Sequence, residues 1–256
     1  MAENHPTASP SPPATEEPKG LLQMLFSLES VTWLLAVVVV FAGPWVWIEF
    51  IRPYTKTAKQ WCELGKSLWH EGESGMAMRA FEAATKRASD NEEAWRFLGM
   101  AYSDLGRTNA ALAALHHALK LNPHDPDAWR WLGDIYRDQE HLASAVKAYQ
   151  EGIRNKPDDP DLWRGLADAY DDWNRYNDAI VAYREAVRLK PDDDFAWYFL
   201  GSASACLGNF SDANDALDHL RTLKSEEADE LAKEIETLEA TSSTMLSQRR
   251  LPTRER

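Results

Sequence analysis

The sequence has few cysteines and fewer basic than acidic residues. Its two cysteines, Cys62 and Cys206, form no CxxC motif, which excludes a disulfide-stabilised scaffold and a cysteine-rich zinc or iron–sulfur site. Lys and Arg number 28 against 41 Asp and Glu, so the net charge is −13. Nucleic acid is therefore not expected as a partner, because binding phosphates requires a basic face.

Motifs of catalysis and metal binding are missing too. There is no glycine-rich phosphate loop, no HExxH and no GxSxG. The neighbouring residues His116 and His117 would point about 100° apart on a helix, which makes a poor metal pair. The acidic runs lack the alternating pattern of a calcium loop. We therefore predict a protein that is not an enzyme and that has no metal site and no cofactor.

What the sequence does contain begins with a tail and an apolar segment. Residues 1–20 include five Pro and few apolar residues, which predicts a disordered tail. Residues 31–48 are 18 consecutive uncharged residues. At about 1.5 Å per residue, a helix extended to residue 51 would cross a hydrocarbon core of roughly 30 Å. We predict that residues 21–51 form a membrane anchor with a single transmembrane helix at about 31–51.

Two alternatives to an anchor fit the sequence less well, and the flanking charges predict its orientation. A signal peptide would not have such an acidic lead-in, and a buried soluble helix would need a core that the rest of the chain does not offer. Lys19 precedes the segment, whereas Arg52, Lys56, Lys59 and Lys66 follow it. The positive-inside rule predicts a single-pass protein with a cytoplasmic C-terminal body, and an extracytoplasmic body is the alternative.

From residue 57 onward the sequence repeats with a period of 34 residues. The units are marked by Trp61, Trp95, Trp129, Trp163 and Trp197. Leu follows each Trp after three residues, Gly or Ala after four, and Ala after sixteen. These spacings place the residues on one face of a first helix and on one face of a second helix that packs against it. The units are preceded by the N-cap residues Thr57, Asn91, Asp125, Asp159 and Asp193.

This pattern resembles the tetratricopeptide repeat (TPR) family over residues 58–227. The resemblance implies an all-α fold, a solenoid of helical hairpins in a right-handed superhelix, here preceded by the transmembrane helix. The predicted units are residues 58–91, 92–125, 126–159, 160–193 and 194–227. We also predict a C-terminal capping helix at 226–239, which Ser225 would cap, and a basic tail at 240–256 with four Arg in its last nine residues.

The resemblance further implies that the first helices line a concave groove that binds extended peptides or partner helices. The predicted groove residues are Arg96, Phe97, Met100, Arg130, Trp131, Asp134, Arg164, Gly165, Asp168, Tyr198 and Phe199. Arg130–Asp134 and Arg164–Asp168 fit ordinary ion pairs on a solvated face. Alternatively, the arginines orient an acidic or C-terminal group of a ligand, aromatic side chains anchor it, and Gly165 leaves a notch for a side chain. The Lys and Asn pattern that clamps the acidic tails of chaperones is absent.

The predicted function is that of a membrane-tethered scaffold or adaptor, which recruits or holds partner proteins for the assembly or stability of a membrane-associated complex. Its partners would be proteins and, through the anchor, the membrane. Two alternatives stay open. One is a self-associating TPR protein that forms an oligomeric scaffold on the membrane. The other is a non-catalytic subunit of an envelope biogenesis machine, which would need the body outside the cytoplasm.

Overall fold

A computed structural model describes residues 56–249 of the chain, with side chains up to residue 242. The predicted tail at 1–20 and the predicted anchor at 21–51 lie outside the described residues. Among the helices of the described part, none is both long and apolar enough to cross a membrane.

Residues 56–249 form eleven helices that follow one another along the chain. They are α1 (Ala58–His70), α2 (Ser74–Arg87), α3 (Glu92–Asp104), α4 (Thr108–Leu121), α5 (Pro126–Asp138), α6 (Leu142–Asn155), α7 (Pro160–Asp172), α8 (Tyr176–Leu189), α9 (Asp194–Cys206), α10 (Phe210–Leu223) and α11 (Glu227–Arg249). The helices α1 to α10 pair into five hairpins, each with a first and a second helix. Each second helix also packs on the first helix of the next hairpin, so the hairpins stack into a solenoid.

The starts of the first helices confirm the capping prediction. Thr57 accepts a hydrogen bond from the Gln60 backbone N–H, and the Gln60 side chain accepts one from the Thr57 N–H, which completes a capping box. The side chains of Asn91, Asp125, Asp159 and Asp193 each accept a bond from a backbone N–H in the first turn. The second helices that follow within the hairpins have no side-chain cap. The first helices therefore have the stronger start signals.

Small residues let the two helices of a hairpin approach closely, as the sequence predicts. A Cβ atom added to Gly65 would lie 2.5 Å from the Phe81 ring, and one added to Gly99 would lie 2.7 Å from Leu115. Both distances are shorter than a van der Waals contact, so the second helix occupies the space that a side chain would need. The side chains of Phe81 and Leu115 are fully buried there.

The repeating tryptophans join successive hairpins by a hydrogen bond that the sequence pattern does not reveal. The indole Nε1 of Trp129 donates to the carbonyl oxygen of Pro123 at 2.8 Å, and that of Trp163 donates to Pro157 at 2.8 Å. Trp95 makes the same bond to the carbonyl oxygen of Ser89, which in the first unit occupies the position that proline has in the later units. Each indole therefore fixes the turn that leads from one hairpin into the next.

The C-terminal helix is longer than predicted. The sequence predicts a capping helix over 226–239, whereas α11 begins at Glu227 and continues to Arg249, into the predicted basic tail. No Gly or Pro interrupts residues 240–249, so nothing in the backbone chemistry ends the helix at residue 239. Ser225 accepts a hydrogen bond from the Glu227 N–H, as expected of a cap. Leu231 and Ile235 are buried against the last hairpin.

Candidate protein-interaction surface

The first helices of successive hairpins contact one another, α1 with α3, α3 with α5 and α5 with α7. We call the surface that the first helices share the concave surface, because elements approach most closely on the inside of a curved solenoid. The predicted groove residues all lie on first helices. Their surroundings, however, differ strongly from one end of the surface to the other.

An aromatic patch spans the first three hairpins. It consists of Trp69, Phe97 and Trp131, of which the last two were predicted. The Trp69 ring centroid lies 6.2 Å from that of Phe97 and 6.5 Å from that of Trp131, both in edge-to-face geometry. The sequence analysis missed Trp69 because it lies in the last turn of α1, beyond the repeated Trp–Leu–Gly positions.

The cations of this region lie over the rings of the aromatic patch. The Arg96 guanidinium lies 4.9 Å from the Phe97 ring centroid, and that of Arg130 lies 5.2 Å from the Trp131 centroid. The Lys66 ammonium is 5.2 Å from the Phe97 centroid on the same surface. Such cation–π contacts hold both the charge and the ring in place and are worth about 0.5–1 kcal/mol at exposed sites.

The predicted arginines are paired with carboxylates and do not stand free in the groove. Arg96 bridges to Asp125 at 2.9 Å and to Asp127 at 3.1 Å, both on the next hairpin. Because Asp125 also caps α5, this arginine ties α3 to the start of the following first helix. The predicted pair of Arg130 with Asp134 is confirmed, at 3.4 Å.

Two of the sequence predictions at arginine and methionine positions are wrong. Arg164 does not pair with Asp168; it lies 3.1 Å from Asp161 and 3.7 Å from Asp193, the cap of α9. Arg164 therefore pairs with carboxylates near the starts of α7 and α9, and not with the carboxylate one turn further along its own helix. Met100 is only 5% exposed and belongs to the core, so its side chain does not line the groove.

Gly165 does not leave an open notch. A Cβ atom at this position would lie 2.5 Å from the Tyr149 ring, so the ring already fills the space. The Tyr149 hydroxyl donates to Asp134 at 2.5 Å, which holds the ring under Gly165. Burial raises the pKa of the Tyr149 hydroxyl, with the nearby Asp134 as the next cause, so it stays a donor. The glycine is therefore a packing residue.

Asp168 belongs to a second, part-buried tyrosine–aspartate pair of the same design. It accepts a hydrogen bond from the Tyr183 hydroxyl at 2.7 Å and forms an ion pair with Arg137 at 2.7 Å. Arg137 also lies 3.9 Å from Asp172. The predicted groove residue Asp168 thus faces the concave surface with its charge largely compensated by a cation of the preceding first helix.

The far end of the concave surface is acidic and aromatic. Phe199 is 37% exposed, and its ring stacks on that of Tyr183 with centroids 6.1 Å apart. The Tyr198 hydroxyl donates to Glu234 of α11 at 3.5 Å. The pKa of Asp171 on α7 is raised to about 6 by burial and then by the charges of Asp172, Asp168 and Glu234. Neither Asp171 nor Glu234 was predicted, since the repeat pattern does not mark either position.

No metal centre is apparent in the part of the chain that the structure describes: no group of three or more His, Cys, Asp or Glu side chains is placed to hold an ion.

Comparison with known proteins identifies the fold and the family. Three solved structures share the fold: MamA (24% identity over 64% of this chain and 96% of that chain, TM-score 0.59), YrrB, a TPR protein with an unusual peptide-binding site (17%, 73% and 97%, 0.58), and a thermophilic TPR protein of Thermus thermophilus (18%, 71% and 98%, 0.54). No curated protein sequence matches the chain at a significant level. The family described as cilia and flagella-associated protein 70 C-terminal domain matches residues 48–236. The chain is therefore a TPR solenoid and belongs to the family of the cilia and flagella-associated protein 70 C-terminal domain.

Proposed function

We propose that this chain is a protein-interaction scaffold whose concave surface binds an extended segment or a helix of a partner protein. We propose further that residues 21–51 tether it to a membrane, where it helps to assemble or stabilise a membrane-associated complex. The aromatic patch is the observation that carries the first part. The likeness to YrrB, whose structure is described as having a peptide-binding site, supports it.

The aromatic patch has the features of an interface anchor. Its three rings are only partly buried, and they stand next to one another across three hairpins. Tryptophan and arginine contribute most often to binding hot spots because they bury a large apolar area and keep a polar group for specificity. Since the arginines here are already oriented by Asp125 and Asp134, a ligand would not have to order them on binding.

The test compares two tryptophan substitutions in the full chain. Trp131→Ala removes a ring of the aromatic patch, whereas Trp173→Ala removes an exposed tryptophan at the end of α7, outside the patch. The partners are recovered by cross-linking and affinity purification from native membranes. We expect specific partners to be missing with Trp131→Ala and to be recovered with Trp173→Ala. Circular dichroism establishes equal helicity. If both variants recover the same partners as the unchanged chain, the patch is not the binding surface.

The tether is tested separately. Deletion of residues 31–51 is expected to release the chain from the membrane fraction, and extraction at alkaline pH is expected to leave the intact chain there. Protease treatment of sealed vesicles reports on which side the TPR body lies, which we propose to be the cytoplasmic side because of the flanking Lys and Arg residues. If alkaline extraction without detergent releases the intact chain into the soluble fraction, the tether is contradicted.

A further inference from the structure

A cavity lies between the second helices α2 and α4, above one face of α3. We call it the α2–α4 cavity. Its volume is about 610 Å³, and small-molecule sites in proteins typically have about 300–1,000 Å³. Its apolar lining includes Trp95, Leu98 and Ala114. None of the residues that line it belongs to the aromatic patch, so it is separate from the surface proposed above to bind a partner.

The corresponding place three repeats further along the chain is much smaller. The α8–α10 cavity, between α8 and α10, has a volume of about 220 Å³. Trp197 and His219 line it at the repeat positions that Trp95 and His117 occupy in the α2–α4 cavity. An ion pair of Arg184 with Asp212, at 2.9 Å, joins α8 to α10 at this cavity.

The α2–α4 cavity is larger because its lining has smaller side chains and no such ion pair. At three repeat positions it has Thr85, Ala110 and Ala113, where the α8–α10 cavity has Val187, Asp212 and Asp215. At the position of Arg184 it has Glu82, which accepts a hydrogen bond from the Tyr102 hydroxyl at 2.8 Å. The open volume is therefore a property of these side chains and not of the TPR fold as such.

The groups that line the α2–α4 cavity indicate the chemistry of a ligand. The rings of Trp95 and His117 stack with their centroids 4.2 Å apart and form a flat aromatic wall. The Nδ1 atom of His117 is buried and has no hydrogen-bond partner among the described residues. A buried polar atom without a partner costs about 1–3 kcal/mol, so a ligand that supplies one removes this cost. Lys86 also lines the cavity and forms no ion pair within the described part of the chain.

We propose that the α2–α4 cavity binds a small organic anion with a flat apolar body, of the aromatic carboxylate class. The body lies against Trp95 and Leu98, and the carboxylate pairs with the Lys86 ammonium and accepts a hydrogen bond from His117. Such a ligand joins α2 to α4, as the ion pair of Arg184 with Asp212 joins α8 to α10. The site is independent of the partner that binds at the aromatic patch.

The test measures the binding of two probes to the full chain by isothermal titration calorimetry in detergent. The probes are 2-naphthoate and 2-naphthamide, which has nearly the same shape and no charge. Each probe is also titrated into the detergent buffer without protein, and this heat is subtracted.

Three variants are compared with the unchanged chain. Glu82→Arg with Ala110→Asp, the closing variant, introduces the ion pair of the α8–α10 cavity. Lys86→Gln removes the cation. Arg188→Gln is its matched control, because Arg188 occupies the same repeat position on α8. Circular dichroism establishes that all of these proteins have equal helicity.

We expect one equivalent of 2-naphthoate to bind, with the same affinity for the unchanged chain and for Arg188→Gln. Lys86→Gln should weaken this binding about fivefold, as expected for the loss of a partly exposed ion pair. The unchanged chain should bind 2-naphthamide about fivefold more weakly than 2-naphthoate for the same reason. The closing variant should lose the binding of both probes, because it fills the cavity.

Four results would overturn the proposal. The unchanged chain does not bind 2-naphthoate; the closing variant binds it as well as the unchanged chain, so the probe lies elsewhere; Lys86→Gln leaves its affinity unchanged; or 2-naphthamide binds equally well, so the charge has no part in binding. If neither probe binds and the closing variant instead loses a protein partner on purification, the cavity is a docking groove for a protein. The aromatic patch is tested separately by the tryptophan variants.

Discussion

Replacing Asp171 by asparagine is expected to stabilise the protein at neutral pH. The carboxylate is half-buried on α7, and burial together with Asp172, Asp168 and Glu234 raises its pKa from 3.8 to about 6. At pH 7 the folded protein therefore holds a charge that the unfolded chain accommodates more easily in water. Asparagine has almost the same shape and no charge, so the substitution removes this cost without removing an ion pair.

The size of the effect follows from the shift. A rise of about two pKa units corresponds to an upper limit of about 3 kcal/mol. Solvent screening at a half-buried site reduces this value, so we expect Asp171→Asn to raise the free energy of unfolding by about 1–2 kcal/mol at pH 7.5. As the pH falls through 6 towards 4, the folded protein takes up the proton. The difference between the two proteins should then disappear.

Urea denaturation followed by circular dichroism, at pH 7.5 and at pH 4, measures this difference. Asp215→Asn is the control, because Asp215 is exposed on α10 and forms no ion pair among the described residues. It should change the free energy of unfolding by less than about 0.5 kcal/mol. The reasoning is refuted if Asp171→Asn gives no gain at pH 7.5, or if its gain is equally large at pH 4.

Two further predictions concern packing between the helices. Gly165→Ala should lower the free energy of unfolding by about 1–3 kcal/mol, because the added Cβ would overlap the Tyr149 ring, as thermal unfolding will show. Arg96→Ala should cost about 1–3 kcal/mol in urea denaturation, since it leaves the buried carboxylate of Asp125, 7% exposed, without its cation.

Each of these predictions has a control in the chain. Gly75 lies inside α2 with nothing within 4 Å of an added Cβ, so Gly75→Ala should be neutral or stabilising by about 0.5–1 kcal/mol. Arg184 forms an exposed ion pair with Asp212, so Arg184→Ala should cost less than about 0.5 kcal/mol. A loss at Gly75 equal to that at Gly165, or at Arg184 equal to that at Arg96, would contradict the packing account.

The aromatic patch and the surroundings of Asp171 differ in how the chain compensates charge. At the aromatic patch the chain supplies its own cations, so the surface is ordered before any ligand arrives. Asp171, in contrast, has no ion-pair partner among the described residues, and its raised pKa predicts that its charge lowers the stability of the folded protein at neutral pH. A residue that lowers stability where a neutral one would fit is a common mark of a functional position.

The helix starts and the close approach of the helices could be predicted because they depend on local chemistry. Asn91 and Asp193 cap helices by accepting bonds from backbone N–H groups of the first turn. Gly65 has no side chain, so it leaves the space that the neighbouring helix occupies. The end of α11 could not be predicted, because no residue near 239 forbids or requires a helix there. The position at which α11 ends depends on small differences in helix propensity, which a residue pattern does not resolve.

The candidate interaction surface shows more clearly which contacts the sequence could not predict. The repeat alone predicted Phe97 and Trp131 on one surface, because both follow the same register of the first helix. The partners of Arg164 and the burial of Met100 could not be predicted, since a side chain can turn towards its own helix or towards the next hairpin. The effect of Glu234 on the pKa of Asp171 could not be predicted either. The two residues lie far apart in the sequence, on the repeat helix α7 and on the C-terminal helix α11.

By itself, the sequence determined the helical hairpins, their stacking and the side of each helix that faces the core, because a period of 34 residues and a helical spacing of apolar side chains allow few other arrangements. Only the tertiary structure decided which charges meet. Arg96 reaches Asp125, the cap of α5, Tyr149 fills the space under Gly165, and Asp171 has no ion-pair partner among the described residues. These contacts join different hairpins, and electrostatic interactions at a few ångströms depend on distances that spacing along one chain does not contain.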